Sequence, residues 1–336
     1  MKRLFKIGLI LLVVVLLIVL VGPFLIPVRP LDGLTSPTAL AQENSQFLTL
    51  AYPGTDGIDI HYRRGGEGEP AFVLLHGFAG SLFTWDTVFD DFAAKGQTLA
   101  YDRPPFGLSE RLLDGDWTEG NPYAPDAAVA QLFALLDQQG IERAILVGNS
   151  AGGTLALRAA LAQPERVAGL ILVSPAVFAG GGAPAFVQPL LRSPQLERIG
   201  PLIARVFLAQ GDGLESRAYY DASVVTEEQR ARSRLGVQVE NWDRALWAFT
   251  AASQASNLTD TLAEITMPVL VVTGENDLVV PASQSIALAD DLPDADLVVV
   301  PACGHLAQEE CPAAFLEAVN AWLADRAILE NRVTGP

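Results

Sequence analysis

Histidine and cysteine are scarce in this chain: three histidines, His61, His76 and His305, and two cysteines, Cys303 and Cys311, stand among 336 residues. With no CxxC spacing, a structural zinc site has almost nothing to be built from, and neither a metal nor a cofactor is expected. Cations are short as well. The 22 Lys and Arg are outnumbered by 39 acidic residues, for a formal net charge of −17. No basic patch interrupts that excess, so nucleic acid is not expected as a partner. Charged residues make up 18% of the chain and hydrophobic ones 50%, a balance that excludes disorder and allows one large core or two modest ones. Internal repeats are missing, and so are low-complexity tracts beyond the first thirty residues.

Those first residues differ from everything after them. Lys2, Arg3 and Lys6 form a basic cluster, and Ile7 to Val28 carries no charge over 22 residues. A secretory signal has an apolar region of about 7 to 15 residues, so residues 1–29 are expected to form an uncleaved, single-pass membrane anchor. Its basic flank would stay in the cytoplasm and send the rest to the non-cytoplasmic side. Ala39-Leu40-Ala41 has the form of a cleavage site and keeps a cleaved signal as the alternative. Pro30 to Asn44 is rich in turn formers without a sustained period and reads as a linker.

From Ser45 onward, apolar runs of strand length alternate with amphipathic stretches: AFVLLH (71–76), TLAYD (98–102), AVAQLFALLDQQG (128–140), AILVG (144–148), TLALRAALA (154–162) and VAGLILVS (167–174). The pattern returns with VLVVTG (269–274), SQSIALADDL (283–292), DLVVVP (296–301) and a closing helix from about Pro312 to Ile328. Such alternation predicts an α/β fold, a mostly parallel, doubly wound sheet with helices on both faces. FLTLAY and GIDIHYRR alternate apolar and polar residues and predict an antiparallel pair at the sheet edge. Between 175 and 266 the strand signal vanishes. This stretch, with a glycine-rich turn at 179–184 and the aromatics Phe178, Phe186, Phe207, Tyr219, Tyr220, Trp242, Trp247 and Phe249, is expected to be a helical cap inserted between core parts 45–174 and 267–336. At least half of those aromatics are expected to pack the insertion's own core.

Gly148-Asn149-Ser150-Ala151-Gly152 falls between a predicted buried strand and a predicted helix. A serine on such a turn presents its hydroxyl at the carboxyl end of the sheet, whereas a serine that caps the helix would fit the same five residues. A serine hydroxyl needs a base, and the base needs a carboxylate to fix its tautomer. His305 follows the last predicted strand and Asp277 the one before it, so both fall at the same sheet edge as Ser150 in the chain order Ser, Asp, His. Glu275 and Asp102 are the substitute acids. Leu74 to Phe78 ends an early strand, which places the backbone N–H of Phe78 beside that of Ala151 as two oxyanion donors. His76 reads as structural, and His61 as a surface or packing residue. Cys303 and Cys311 flank His305, either joined in a disulfide that braces its loop or buried as two thiols.

These motifs, with Asp102 to Ser109 (DRPPFGLS), make the chain resemble the cap-bearing group of the α/β-hydrolase fold superfamily over roughly Phe47 to Ala327. The resemblance implies a serine hydrolase, since relatives that remove halide or open epoxides carry Asp where Ser150 stands. The leading expectation is a membrane-anchored hydrolase of a carboxylic ester, with an amphipathic or lipid-like small molecule as substrate. Carbon–carbon hydrolysis of ring-cleavage products is the alternative. The GNSxGG form is familiar from that group, while His76-Gly77-Phe78-Ala79-Gly80 departs from its glycine-proline-glycine loop. A non-catalytic scaffold on the same fold is the third reading.

Overall fold

Strands β3 (Ala71–Leu75), β4 (Thr98–Tyr101) and β5 (Ala144–Asn149) are buried along their whole length, as are nearly all of β6 (Val167–Val173) and β7 (Val269–Gly274). Strands so apolar on both faces can be accommodated only in the middle of a covered, parallel sheet. The computed structural model, which describes residues 2–178, 184, 186–209, 216–254 and 258–326, shows that sheet. Its eight strands run in the order β1-β2-β4-β3-β5-β6-β7-β8. The edge is the expected antiparallel pair, β1 (Gln46–Leu50) and β2 (Ile58–Gly65), with β2 also antiparallel to β4, while all other pairs through β8 (Ala295–Val300) are parallel.

Helix α1 (Lys2–Leu25) precedes the sheet and buries nothing against it. The two sheet faces are covered by different helices. On one face α3 (Pro125–Gln138), α4 (Ala151–Ala162) and α9 (Ala282–Asp291) bury Leu132, Leu155 and Leu288 in a cluster with Leu146, Leu170 and Val271. On the other, α2 (Phe89–Ala93) and α11 (Pro312–Asp325) bury Phe92, Phe315 and Trp322 against Phe72, Ile145 and Ile171. The closing helix ends at Asp325, and residues from 327 lie outside the described part.

Between β6 and β7 the described residues form helices: α5 (Gln188–Leu191), α6 (Pro194–Leu208), α7 (Glu227–Ser233) and α8 (Trp242–Ala252). Helices α6 and α8 pack closely because Gly200 has no side chain: a Cβ there would stand 2.1 Å from the Trp247 ring. Of the aromatics noted in this stretch, Trp242 and Trp247 are buried, whereas Phe186, Phe207 and Tyr220 are exposed. Of the glycine-rich turn only Pro184 is described.

Residues 30–44 do not form a free linker. Pro37–Leu40 makes a 3₁₀ turn, and Thr35 forms an isolated bridge to Val239 through Thr35 N–H to Gln238 O (3.0 Å) and Glu240 N–H to Thr35 O (3.1 Å). Backbone pairing of this kind needs no periodic side chains and so leaves no mark in the hydrophobic pattern. The following α10 (Ala307–Glu310) links the last strand to α11.

The Phe92 ring is fully buried and meets Phe72 edge-on at 5.0 Å. Phe92→Ala is expected to destabilise the domain by about 3–5 kcal/mol through lost burial and a residual cavity, checked by urea unfolding of the full chain in detergent.

Candidate active site

Ser150 lies between β5 and α4 with φ 53° and ψ −119°, a backbone conformation that a non-glycine residue adopts only under constraint from its surroundings. Those surroundings are close. A Cβ on Gly148 would stand 2.5 Å from the Gly152 carbonyl oxygen, and one on Gly152 would stand 2.0 Å from that of Leu75. The two glycines of the motif are therefore required by contact between backbones. Ser150 N–H donates to Val173 O at 2.9 Å, anchoring the turn to β6. Its side chain makes no capping hydrogen bond to α4, which removes the helix-cap reading. The hydroxyl, in a residue 9% exposed, bonds to no other group among the described residues.

His305 and Asp277 meet as expected. His305 Nδ1 donates to Asp277 Oδ2 at 2.7 Å, and the other carboxylate oxygen accepts the N–H groups of Val279 and Val280, each at 2.8 Å. This arrangement places the proton on Nδ1 and leaves Nε2 as the basic nitrogen. Gly274 permits the Asp277 loop to lie on the His305 loop, since a Cβ there would meet the Gly304 carbonyl at 2.1 Å. The His305 loop is braced by the disulfide between Cys303 and Cys311. Glu310 lies beside those two sulfurs, but with the sulfurs bonded to each other the group is no metal centre.

Asn149, the unspecified residue of the serine motif, carries no signal of its own in the sequence. Its buried Nδ2 donates to Val173 O and to His305 O, both at 3.2 Å, and so ties the Ser150 turn directly to the His305 loop. The early loop lies against the same turn: a Cβ on Gly77 would stand 3.2 Å from Ser150 Cβ. Among the described residues neither the Phe78 nor the Ala151 N–H donates to a protein acceptor.

The two substitute acids are elsewhere. Glu275 is exposed, and Asp102 is wholly buried against His61, 2.7 Å from Asp102 Oδ2 to Nδ1. His61 is thus an internal residue, whose Nε2 also meets Ser45 Oγ at 2.7 Å. Asp102 further accepts the N–H groups of Leu82 and Leu108, each at 2.6 Å. Burial works to raise its pKa, but His61 and the Leu108 N–H help outweigh burial and hold it below the ordinary carboxylate value. His76 is structural, as expected: Nδ1 donates to Gly77 O at 2.7 Å and Nε2 accepts from Arg103 N–H at 3.0 Å. Burial, reinforced by the Arg103 charge, pushes His76 down to about 3.

The chain matches the family model described as alpha/beta hydrolase fold over residues 70–312. It is 34% identical to the 2-hydroxy-6-oxononadienedioate/2-hydroxy-6-oxononatrienedioate hydrolase of Burkholderia vietnamiensis, over 79% of this chain and 91% of that one. Among solved structures it resembles 2-hydroxy-6-oxo-6-phenylhexa-2,4-dienoate hydrolase from Rhodococcus, with 25% identity, a TM-score of 0.62, and coverage of 83% of this chain and 99% of that chain. An N-acyl homoserine lactone degrading enzyme is similar at 26% identity and a TM-score of 0.60, covering 81% of this chain and 99% of the other.

The unfolded chain would protonate His76 near pH 6.5, while the folded chain refuses that proton until about pH 3. Its contribution to stability is therefore present above pH 6.5 and lost as pH falls through this window, at up to about 1.4 kcal/mol per pH unit. Urea unfolding at stepped pH should show this slope and should show it reduced in His76→Asn.

Proposed function

This chain belongs to the α/β-hydrolase family and is a serine hydrolase, and from that premise we propose that it hydrolyses a carbon–carbon bond in a vinylogous diketone of the ring-cleavage-product type. The sequence motifs by themselves favour an ester. The similarity to a 2-hydroxy-6-oxononadienedioate hydrolase over 91% of that enzyme's length carries this order, and it outweighs the departure at His76 to Gly80.

In this reading Ser150 is the nucleophile, His305 the general base and Asp277 the carboxylate that orients His305. His305 Nε2 removes the hydroxyl proton as Ser150 Oγ adds to the ketone carbonyl, and the Phe78 and Ala151 N–H groups stabilise the oxyanion. Collapse of the tetrahedral intermediate breaks the carbon–carbon bond. With the vinylogous diketone as substrate, the electron pair passes through the adjoining alkene onto the remote ketone oxygen, giving a conjugated enolate that takes up a proton, and an acyl group remains on Ser150. Water, deprotonated by His305, then releases the acid. Apo hydroxyl geometry without a Ser150–His305 hydrogen bond is compatible with this role, since such bonds tighten on substrate binding.

Ester hydrolysis by the same residues is the second reading, and the N-terminal helix favours it. We read residues 1–29 as an uncleaved anchor and residues 175–266 as a cap over the site. Three side chains of α6, in that cap, reach the end of the anchor. Gln195 donates to Leu20 O at 3.3 Å, Arg198 to Ile26 O at 3.2 Å and Arg205 to Arg29 O at 2.8 Å. A cap held against a membrane helix supports an amphipathic substrate.

Two assays test these readings. Wild-type protein should consume a 2-hydroxy-6-oxodienoate faster than p-nitrophenyl esters of graded acyl length, and the reverse ranking would move the ester reading to the front. Ser150→Ala and Asp277→Asn should each lower turnover on the order of 10³-fold or more, and unchanged turnover in Ser150→Ala would remove the mechanism. For the anchor, carbonate washing of membranes should leave the full-length chain in the pellet. A shorter, soluble product starting after Ala41 would identify a cleaved signal instead.

A further inference from the structure

Helix α6 has three sides, two of them occupied. Gly200 lies on the Trp247 ring of α8, and Ala204 joins a cluster with Trp242 and Leu246 of the same helix. Gln195, Arg198 and Arg205 reach carbonyls at the end of α1 and just beyond it. The third side carries Ile199, Ile203, Val206 and Phe207, the i, i+4, i+7, i+8 spacing of one helical face. Ile203, Val206 and Phe207 are exposed, and Phe186 and Leu190, just ahead of α6 in the chain, add two more exposed apolar side chains. No charge breaks the face. Glu197, the one acidic residue of α6, shares its side of the helix with Ala204 seven positions on, opposite Val206.

An exposed apolar face of this kind marks a surface for protein or lipid, and α1 decides between them. The span of α1 is uncovered by protein, and the uncharged run of 22 residues from Ile7 to Val28 matches the roughly 20 that cross a bilayer. Leu20 then lies within the hydrocarbon, and Ile26 to Arg29 at the headgroups. The partners on α6 ascend in step: Gln195 stands at Leu20 (3.3 Å), Arg198 at Ile26 (3.2 Å) and Arg205 at Arg29 (2.8 Å). Helix α6 therefore runs beside the emerging end of α1, with its first turn near the acyl chains and Ile203, Val206 and Phe207 at headgroup level. A helix with arginines on one side and Ile, Val and Phe on the next has the composition of a segment that rests in a bilayer interface. Lipid packed around α1 is continuous with this face.

We propose that the apolar face of α6 docks on the bilayer that α1 spans, as a second membrane contact of the chain. The proposal rests on the anchor reading of residues 1–29 and goes beyond it, since a single span leaves the folded part free to tilt whereas two contacts fix its orientation. Phe207 gives that orientation a consequence. Its ring lies 6.2 Å from that of Phe78, itself exposed on the proposed oxyanion loop. Apolar surface thus continues from the lipid face to the mouth of the proposed site, the approach that a bilayer-dissolved substrate requires.

Both cysteines of the chain are joined to each other, so a cysteine introduced at the surface is the one free thiol and can carry a fluorophore. Full-length protein labelled at Val206→Cys and reconstituted in phosphatidylcholine vesicles should be quenched at least about 2-fold by lipids with a nitroxide near the headgroup. A label at Leu16→Cys, within α1, should be quenched by a nitroxide deep in the acyl chain, and one at the exposed Asp290→Cys of α9 by neither. Adding Ile203→Asp to Val206→Cys should remove about half of the quenching or more. An unquenched label at Val206, or quenching indifferent to Ile203→Asp, overturns the docking. If the unquenched label is shielded from aqueous iodide and becomes accessible on dilution in detergent, the face belongs to a second copy instead. An unquenched label at Leu16 removes the anchor reading, and the placement of α6 falls with it.

Discussion

Contact between the Gly152 backbone and the Leu75 carbonyl, where even one carbon atom would stand 2.0 Å away, brings α4 down onto the end of β3. That approach leaves the chain between β5 and α4 only one residue in which to reverse direction, and Ser150 absorbs the reversal at φ 53°. A strained residue persists because its neighbours over-determine it, here through β6 on one side and the loop at Gly77 on the other. The same compression places the start of α4 and the Gly77–Phe78 loop side by side, so the shape of the site follows from backbone packing before any side chain is considered.

A second constraint is electrostatic. The buried Asp102 carboxylate gathers donors from His61 of β2, from the Leu82 N–H and from the loop after β4. Gly107 is part of that arrangement, since a Cβ there would fall 1.9 Å from the carboxyl group. Removing a single charge would leave several N–H groups unpaired inside the protein at once, and the loops it ties together would lose their common support. Asp102 thus does for the scaffold what Asp277 does for His305: one carboxylate holds a histidine by its Nδ1 in each case.

The parts of this arrangement that local sequence could carry were legible. Buried strands, the antiparallel edge and the helices that cover the sheet all left periodic patterns, and Ser150, Asp277 and His305 stood at predicted strand ends in an order that few other sites share. What local sequence could not carry was pairing across distance. Nothing within the chain near His61 announces Asp102, 41 residues on, and the role of Asn149 depends on a carbonyl 156 residues away. In segment 30–44 the turn formers carry no sign of the backbone pairing of Thr35 with Gln238 and Glu240. Between carbon–carbon and ester substrates the loop at His76 to Gly80 points toward an ester, whereas similarity spread along the chain points somewhat more toward the carbon–carbon hydrolases.

The bond between Cys303 and Cys311 encloses His305, Glu309 and Glu310 in a short covalent ring. Residues from the stretch between β6 and β7 rest on that ring: Ala218 accepts the His305 N–H at 2.7 Å, and Tyr219 donates to Glu309 at 2.8 Å. Thiol-reducing compartments do not sustain such a ring. Maturation of the histidine loop is thereby coupled to where the chain resides: a copy retained among reducing thiols would hold this corner by noncovalent contacts alone, and delivery to an oxidising space would complete it.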